Sequence, residues 1–379
     1  MNSLATRAYI GLGVLATLVF SPVLLAQTAN STATAPSAPA ATALSPTPQF
    51  PAGLWELSHE NDWFIYSDRD YTGGLRMAYT TPNYSNWDSI FLIPSGLGNF
   101  SDKLSLIDSS WATVSAAIYA QINIYTPEAT QLRTPNPNDH PYAGWVGLAT
   151  DLIRQTDTRR SIQEINVGLV GPESGAQDLQ QSFHQFIHST DPLGWDHQIK
   201  NEPVFQYTNR QDWRIPALSN LNNAVPVTFG FDNIAHGTVT VGNGWDYAAV
   251  GALARFGYHL PMDFGPARLR LGDVDTMPYQ PGGSAAGSIG GWSLEQLSAY
   301  VYFGAEGRAV ARDITLDGNT FARSASVNKE PLVGEFYSGL AVGYGHFRGS
   351  FMVLYETNTF RAQAQTGQWR GILTLGVAF

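Results

Sequence analysis

The stretch from Trp111 to Pro127 reads WATVSAAIYAQINIYTP. Val114, Ala116, Ile118, Ala120, Ile122 and Ile124 fall on one side of it. Thr113, Ser115, Tyr119, Gln121, Asn123 and Tyr125 fall on the other. Successive side chains of a strand point to opposite faces, so this is a strand with one apolar and one polar face. Strands of globular proteins run to about 5–6 residues, whereas strands that cross bilayer hydrocarbon need roughly 9–11. The length and the two-sided pattern predict a membrane-spanning strand with lipid on one face and a polar lumen on the other.

The same pattern recurs at 54–61, 72–81, 143–154, 161–170, 203–213, 225–233, 245–259, 297–308, 335–347, 349–359 and 369–379. The total of twelve is even, as closed bacterial outer-membrane barrels require. The last segment places Trp369, Leu373, Leu375, Val377 and Phe379 on one face and ends on an aromatic, like the assembly signal of such barrels. The expected fold is therefore all-β: a twelve-stranded antiparallel transmembrane β-barrel over residues 51–379.

Composition agrees and narrows the function. Charged residues make up 14% of the 379, against about 25% in soluble proteins. Aromatics, at 12%, cluster near strand ends as in interfacial girdles. A net charge of -10 excludes a non-specific nucleic-acid binder, which needs clustered Lys and Arg to replace counterions. The absence of cysteine removes disulfides, thiolate metal sites and a thiol nucleophile.

Arg7 followed by the apolar run Ala8–Leu25 and the small Ala26 reads as a secretory signal peptide over 1–26, with an anchoring helix as the alternative. Residues 27–50, rich in Ala, Thr, Ser and Pro, read as a disordered linker. Export implies that the N-terminus starts in the periplasm, so odd-numbered strands run outward.

One segment breaks the alternation. In Pro172–Ser189, Leu179, Phe183, Phe186 and Ile187 recur at helical spacing, while Gln177, Gln181, His184 and His188 share another face. This predicts a short amphipathic helix in an extracellular-side loop or in the lumen. Three polar clusters fall at the outer ends of neighbouring strands. They are Glu60–Asp62 with Ser67–Thr72, Ile124–Pro127 with Asp139–Tyr142, and Gly171–Pro172 leading into the His184 helix. Carboxylate, amide and hydroxyl oxygens beside an imidazole suit a hydrolytic or metal site. Polar loop tips of any barrel also fit that pattern.

These blocks resemble the outer-membrane lipid A 3'-O-deacylase family of the LpxR type. The matching stretches are Glu60-Asn61-Asp62-Trp63-Phe64, Ser67-Asp68-Arg69-Asp70-Tyr71-Thr72-Gly73-Gly74, Ile124-Tyr125-Thr126-Pro127 and Pro141-Tyr142-Ala143-Gly144-Trp145. Val170–Gly175, Gln180…His184, Gly194–Gln198 and Asn201-Glu202 follow in family order. The resemblance implies a twelve-stranded barrel in the bacterial outer membrane, exported by its signal peptide and acting as a monomer on lipid A of lipopolysaccharide. It implies Ca²⁺-dependent hydrolysis of the ester holding the 3'-linked acyloxyacyl group. His184 matches the catalytic histidine and would serve as general base on water. Asn61, Asp62 and Thr72 match the essential polar residues, with Asp62 and Asn61 as the metal candidates.

Two positions depart from the family pattern. A Lys expected shortly after the Ile-Tyr-x-Pro motif is missing, and Arg133 is the nearest cation to read a lipid phosphate. An acidic residue expected after the histidine is replaced by Thr190, with Asp191 beside it. His140 and His197 read as structural. Ser174 and Ser182 lack the glycine-flanked elbow of a serine esterase. The rival functions are a catalytically inactive lipid-binding or structural barrel, and a passive pore.

Overall fold

Backbone pairing decides the architecture. The computed structural model describes residues 53–378 except 63, 65–69, 92, 109–111, 217–228, 277–296 and 365. The expected leader and linker, Ser67–Arg69 and Phe379 lie outside the described residues. All described elements belong to one compact unit, Pro48–Phe379. The strands are β1 (Leu54–Asn61), β2 (Asp70–Thr80), β3 (Thr113–Thr126), β4 (Ala143–Gln155), β5 (Arg159–Val170) and β6 (Glu202–Arg214). They continue as β7 (Phe229–Gly242), β8 (Trp245–Tyr258), β9 (Leu297–Asp313), β10 (Leu332–Tyr344), β11 (Phe347–Glu356) and β12 (Gln368–Ala378). Each pairs antiparallel with its sequence neighbours, and β1 pairs with β12 from Leu54↔Ala378 to Asn61↔Gly371. The sheet is a closed barrel of twelve strands without a free edge, as bilayer crossing demands. Among the described residues no helix is long and apolar enough to cross a membrane.

The expected strands lie close to the observed ones, with two corrections. β7 runs to Gly242 rather than stopping at Asn233, because Thr238-Val239-Thr240-Val241 keeps the alternation and pairs with β6 and β8; its expected first residues, 225–228, lie outside the described set. β9 runs to Asp313, past Arg308, because its end pairs with Trp245 and Asp246 across a bulge.

Burial is inverted relative to a soluble protein. Leu57, Met77, Leu148, Phe205, Val250 and Leu375 face outward and are exposed, whereas Glu60, Asp151, Glu164, Asp212, Asp232, Glu335 and Arg370 face the lumen and are buried. The few charges of the chain are thus concentrated inside, where ion pairs neutralise them: Arg160 with Asp212 at 2.9 Å, Arg255 with Asp232 at 2.6 Å, and Arg370 with Glu60 at 2.8 Å.

The lumen is also filled by chain. Residues 259–276, which follow β8, fold back inside it. Arg268 on this segment bonds Asp273 at 3.0 Å, Glu306 of β9 at 2.8 Å and Glu335 of β10 at 2.5 Å. Arg270 reaches Glu335 at 2.8 Å and Glu356 of β11 at 3.2 Å. From the opposite wall, Arg76 donates to the carbonyls of Arg268 and Asp273, and Arg160 donates to that of Val274. Gly272, at φ +70, turns the segment so tightly that its N–H reaches Glu164; a β-carbon there would lie 2.6 Å from the methyl of Thr208. Nothing in the alternation pattern points to this plug.

Among the described residues three α-helices decorate the rims. Helix α1 (Ser95–Leu104) follows β2, α2 (Ala176–Phe186) lies between β5 and β6, and α3 (Ile314–Asp317) follows β9, its first turn capped by Asp313. Only α2 is anticipated by spacing.

Removing one partner of a buried ion pair typically costs about 3–5 kcal/mol. Arg268→Ala removes the guanidinium shared by Glu306 and Glu335, leaving them to His236 and Arg270, and is expected to loosen the plug while leaving the strands paired. Amide exchange across 262–276 should then accelerate by at least tenfold, with barrel exchange unchanged. Unaltered plug protection in the variant would show that these pairs do not hold it.

Candidate active site

The site begins at a defect in the β2–β3 ladder. Tyr71 pairs with Tyr125 and Gly73 with Ile124, so Thr72 is the extra residue of a bulge. Asp70 precedes it at φ 61, a left-handed conformation that Asp tolerates, and accepts a 2.8 Å hydrogen bond from Gln363. Bulges re-aim side chains next to functional sites. Here the bulge leaves Tyr71 inside, against Asn123, and places the Thr72 hydroxyl 2.7 Å from that of Thr126. Thr126 shares strand parity with the exposed Ile118, so the pair lies on the outer face of the wall.

Asn61 has the parity of the outward Trp55 and Leu57, and its amide nitrogen lies 3.0 Å from where a β-carbon on Gly73 would stand. The backbone N–H of Asp62 donates to the carbonyl of Thr72 at 3.4 Å. Asn61, Asp62 and Thr72 are therefore neighbours where β1 ends and β2 begins, all buried. Phe64 folds over the outside of β12 against Gly371, and its ring stands 5.6 Å from that of His59.

Helix α2 closes this wall from outside the barrel. It packs on β3 and β4, where a β-carbon at Gly144 would overlap Ser174 Oγ and Ala176 Cβ. Ala176 joins Ile124, Tyr142 and Trp195 in one apolar cluster, and Phe183 stacks edge-on to His59 at 6.0 Å. The buried face is Ala176, Gln180 and His184, while Leu179 and Phe186 are exposed, the latter at 80%. The helix is amphipathic as expected, but the face it buries holds Gln180 and His184 beside Ala176, while Leu179 and Phe186 of the expected apolar stripe are exposed.

His184 is buried and oriented. Its Nδ1–H donates to the carbonyl oxygen of Thr190 at 2.6 Å. A carbonyl only accepts, so this bond fixes the tautomer and leaves the basic lone pair on Nε2. The backbone of Thr190 thus takes the place where an acidic side chain is expected. Gln180 lies one turn earlier on the same face and has no role in the sequence reading. Trp195 Nε1–H donates to its Oε1 at 2.8 Å, and its buried Nε2 has no partner among the described residues. An amide donor held in this way beside an imidazole suits a developing oxyanion. Its signal in the sequence is the pairing of Gln180 with Trp195, which only the fold brings together.

The remaining candidates separate. Arg133 is exposed on the loop between β3 and β4. That loop is tied to the segment after α2 by Leu193 N–H donating to the Thr130 carbonyl at 2.9 Å, so Arg133 stands on the same side of the barrel as α2. His140 stacks on Tyr125 with ring centroids 5.6 Å apart and bonds the Pro141 carbonyl; burial pushes its pKa down to about 4, so it is neutral and structural at neutral pH. His197 belongs to a short turn, Trp195–His197.

The donor set of Asp62, Asn61, Thr72 and Thr126 is entirely oxygen, which fits a hard cation such as Ca²⁺ in kind. It contains one carboxylate. Among the described residues no group of three Asp, Glu or His side chains gathers to hold a metal ion. Any cation here would draw most of its ligands from neutral oxygens.

The family model described as "Outer membrane protein LpxR" matches residues 14–379. Among solved structures, LpxR from Salmonella typhimurium is similar to this chain with a TM-score of 0.64 and 18% identity, covering 86% of this chain and 100% of that one. The beta domain of the Bordetella autotransporter Brka is similar at TM-score 0.39 and 8% identity, covering 87% and 100%. No curated protein sequence matches. With a family model that spans nearly its whole length, the chain belongs to the LpxR family of outer membrane proteins.

Proposed function

We propose that this protein is an ester hydrolase of the outer membrane that removes the 3'-linked acyloxyacyl group of lipid A. The observation that carries the reading is His184, tautomerically fixed by Thr190 on a helix clamped against the outer face of the wall, where the neighbouring Phe183 meets His59 of β1, two residues before Asn61. A site on the outside of the barrel meets a lipid laterally, whereas a site in the lumen would require the acyl chains to leave the bilayer. The plug supports the same reading over a passive pore.

In the proposed reaction His184 Nε2 accepts a proton from water as the water oxygen attacks the ester carbonyl carbon. The Gln180 amide donates to the oxygen on which charge develops. Collapse breaks the bond between the carbonyl carbon and the sugar 3'-oxygen, and the proton held on His184 passes to that oxygen. Asp62 and Asn61 are the residues that would hold Ca²⁺, whose chemistry when bound is to polarise the ester carbonyl. Arg133 is the candidate for a lipid A phosphate, since a guanidinium binds phosphate through parallel N–H donors.

Mass spectrometry of lipid A from cells with and without the protein tests the reaction, and loss of the 3'-linked acyl pair is the expected result. Unchanged lipid A would favour the inactive lipid-binding barrel. His184→Ala should lower the rate by about 10²–10⁴ while the barrel stays folded; activity within a few-fold of the parent would remove His184 from the mechanism. Asp62→Ala and Asn61→Ala should abolish or strongly reduce turnover, as should chelation of the parent until Ca²⁺ is restored. Full turnover in excess chelator would replace the metal with a metal-free esterase mechanism.

Arg133→Ala should raise KM for phosphorylated lipid A and change little for a dephosphorylated analogue. Equal effects on both substrates would show that Arg133 does not read phosphate.

A further inference from the structure

The segment between β2 and β3 lies at the opposite rim from the site, on the outside of the barrel. Trp87, Ile90 and Ile93 pack on Val114 and Ala116 of β3 and Leu152 of β4, all of outward parity. Helix α1 sits on this cluster through Gly98, where a β-carbon would overlap the Trp87 ring. Asp102 ties the helix down, accepting from Trp87 Nε1–H at 3.1 Å and pairing with Arg154 at 2.8 Å. Its last carbonyl, that of Leu104, accepts from Gln163 of β5 and Asn209 of β6. These two amides also face outward, with the parity of Ile165 and Phe205. Polar side chains on the lipid-facing surface of β5 and β6 are thereby explained: they serve a helix laid across that surface.

The other faces of α1 are sorted. Its buried positions are Gly98 and Ser101, with Ser105 just beyond its end. Leu97, Phe100 and Leu104 form a stripe about a quarter-turn away at 100° per residue. The stripe is solvent-accessible, with Phe100 57% exposed, and Phe91 and Leu106 extend it at 98% and 67%. Asn99 and Lys103 lie on the side away from the wall, and Arg159 next to the helix holds the Leu106 carbonyl at 3.1 Å. Above the stripe on the same sector of wall stand the exposed Ile118, Leu148, Ile165 and Phe205, so the apolar surface is continuous with the lipid-facing belt. A helix with an apolar stripe, a cationic flank and no room to cross lies in the plane of a membrane interface.

We propose that α1, with Phe91 and Leu106, is an in-plane anchor that inserts its apolar stripe into the acyl region of the periplasmic leaflet, with Lys103 and Arg159 at the level of the phospholipid phosphates. The occupant of the surface is phospholipid, because the stripe continues the surface that lipid already covers. The anchor lies on β3 to β6, the sector whose opposite end carries α2, and it fixes the height of that sector in the bilayer. The proposal does not depend on the catalytic reading.

The chain has no cysteine, so single nitroxide labels can be placed without background. Cysteine is introduced one position at a time at Leu97, Phe100, Leu104, Asn99 and Lys103, all exposed, in the full barrel reconstituted in phosphatidylethanolamine–phosphatidylglycerol vesicles. Electron paramagnetic resonance relaxation by oxygen and by a water-soluble nickel chelate then reports depth. Labels at 97, 100 and 104 should be relaxed several-fold more by oxygen than by nickel, and labels at 99 and 103 should show the reverse. Preferential relaxation by nickel at 97, 100 and 104 overturns the proposal and exposes the stripe to water. Dipolar broadening between labels at 100 also overturns it, by assigning the surface to a second copy of the chain.

Discussion

A peptide group inside hydrocarbon has no water to pair with, and an unpaired one costs several kcal/mol. That constraint organises the molecule. It requires β1 to find β12, so Leu54 stands opposite Ala378 and the sheet has no edge. Closure creates an inside, and alternation sends every second residue into it. The lumen therefore receives the charges that lipid rejects, and those charges must neutralise one another: Glu335 lies between Arg268 and Arg270, and Glu356 between Arg270, Arg308 and Arg370. The outer face is left apolar except where protein covers it, at α1 near one rim and at α2 near the other. The candidate chemistry occupies one of those two covered places.

The cover explains how polar groups persist on a lipid-facing wall. Asn61, Thr72, Thr126 and His184 are all nearly inaccessible, although Asn61 and Thr126 have outward parity and the bulge turns Thr72 to the same face. α2 packs over β3 and β4, and its Phe183 reaches His59 of β1, so this part of the wall is covered by protein rather than by lipid. The His184 imidazole is held by a backbone carbonyl and the Gln180 amide by Trp195, the pre-organisation that the proposed reaction calls for. The single residue of the bulge connects the two sides: Tyr71 belongs to the lumen and Thr72 to the outer face.

Much of the barrel was legible because period two survives over ten or more residues in β3, β4 and β8, longer than chance or a soluble strand allows. The plug was not legible. Residues 259–276 have no period, and the meaning of Arg268 and Arg270 lies in glutamates far away in sequence. Helix α1 was hidden for a related reason: SGLGNFSDKL is poor in strong helix formers, and its stability comes from Trp87, Arg154 and the wall beneath it. At the candidate site, Asn61, Asp62, Thr72 and His184 were singled out through family resemblance rather than through any spacing. Gln180 carried no role because its orientation depends on Trp195, and Thr190 contributes a backbone atom that no side-chain pattern can reveal. Spacing alone did not show which face of α2 is buried, since Leu179 and Phe186 of its apolar stripe are exposed while Gln180 and His184 are covered.

The plug imposes an order on assembly. It is synthesised between β8 and β9, and its arginines bind glutamates on β9, β10 and β11, whereas Arg76 and Arg160 grip its backbone from strands made earlier. The segment is thus tied to strands made before it and to strands made after it. An assembly in which the first eight strands curve around it and the last strands are recruited onto it uses both sets of contacts in the order in which the chain is made. The segment then acts as a mould for the second half of the chain, and the seam between β1 and β12 is the last to be sewn.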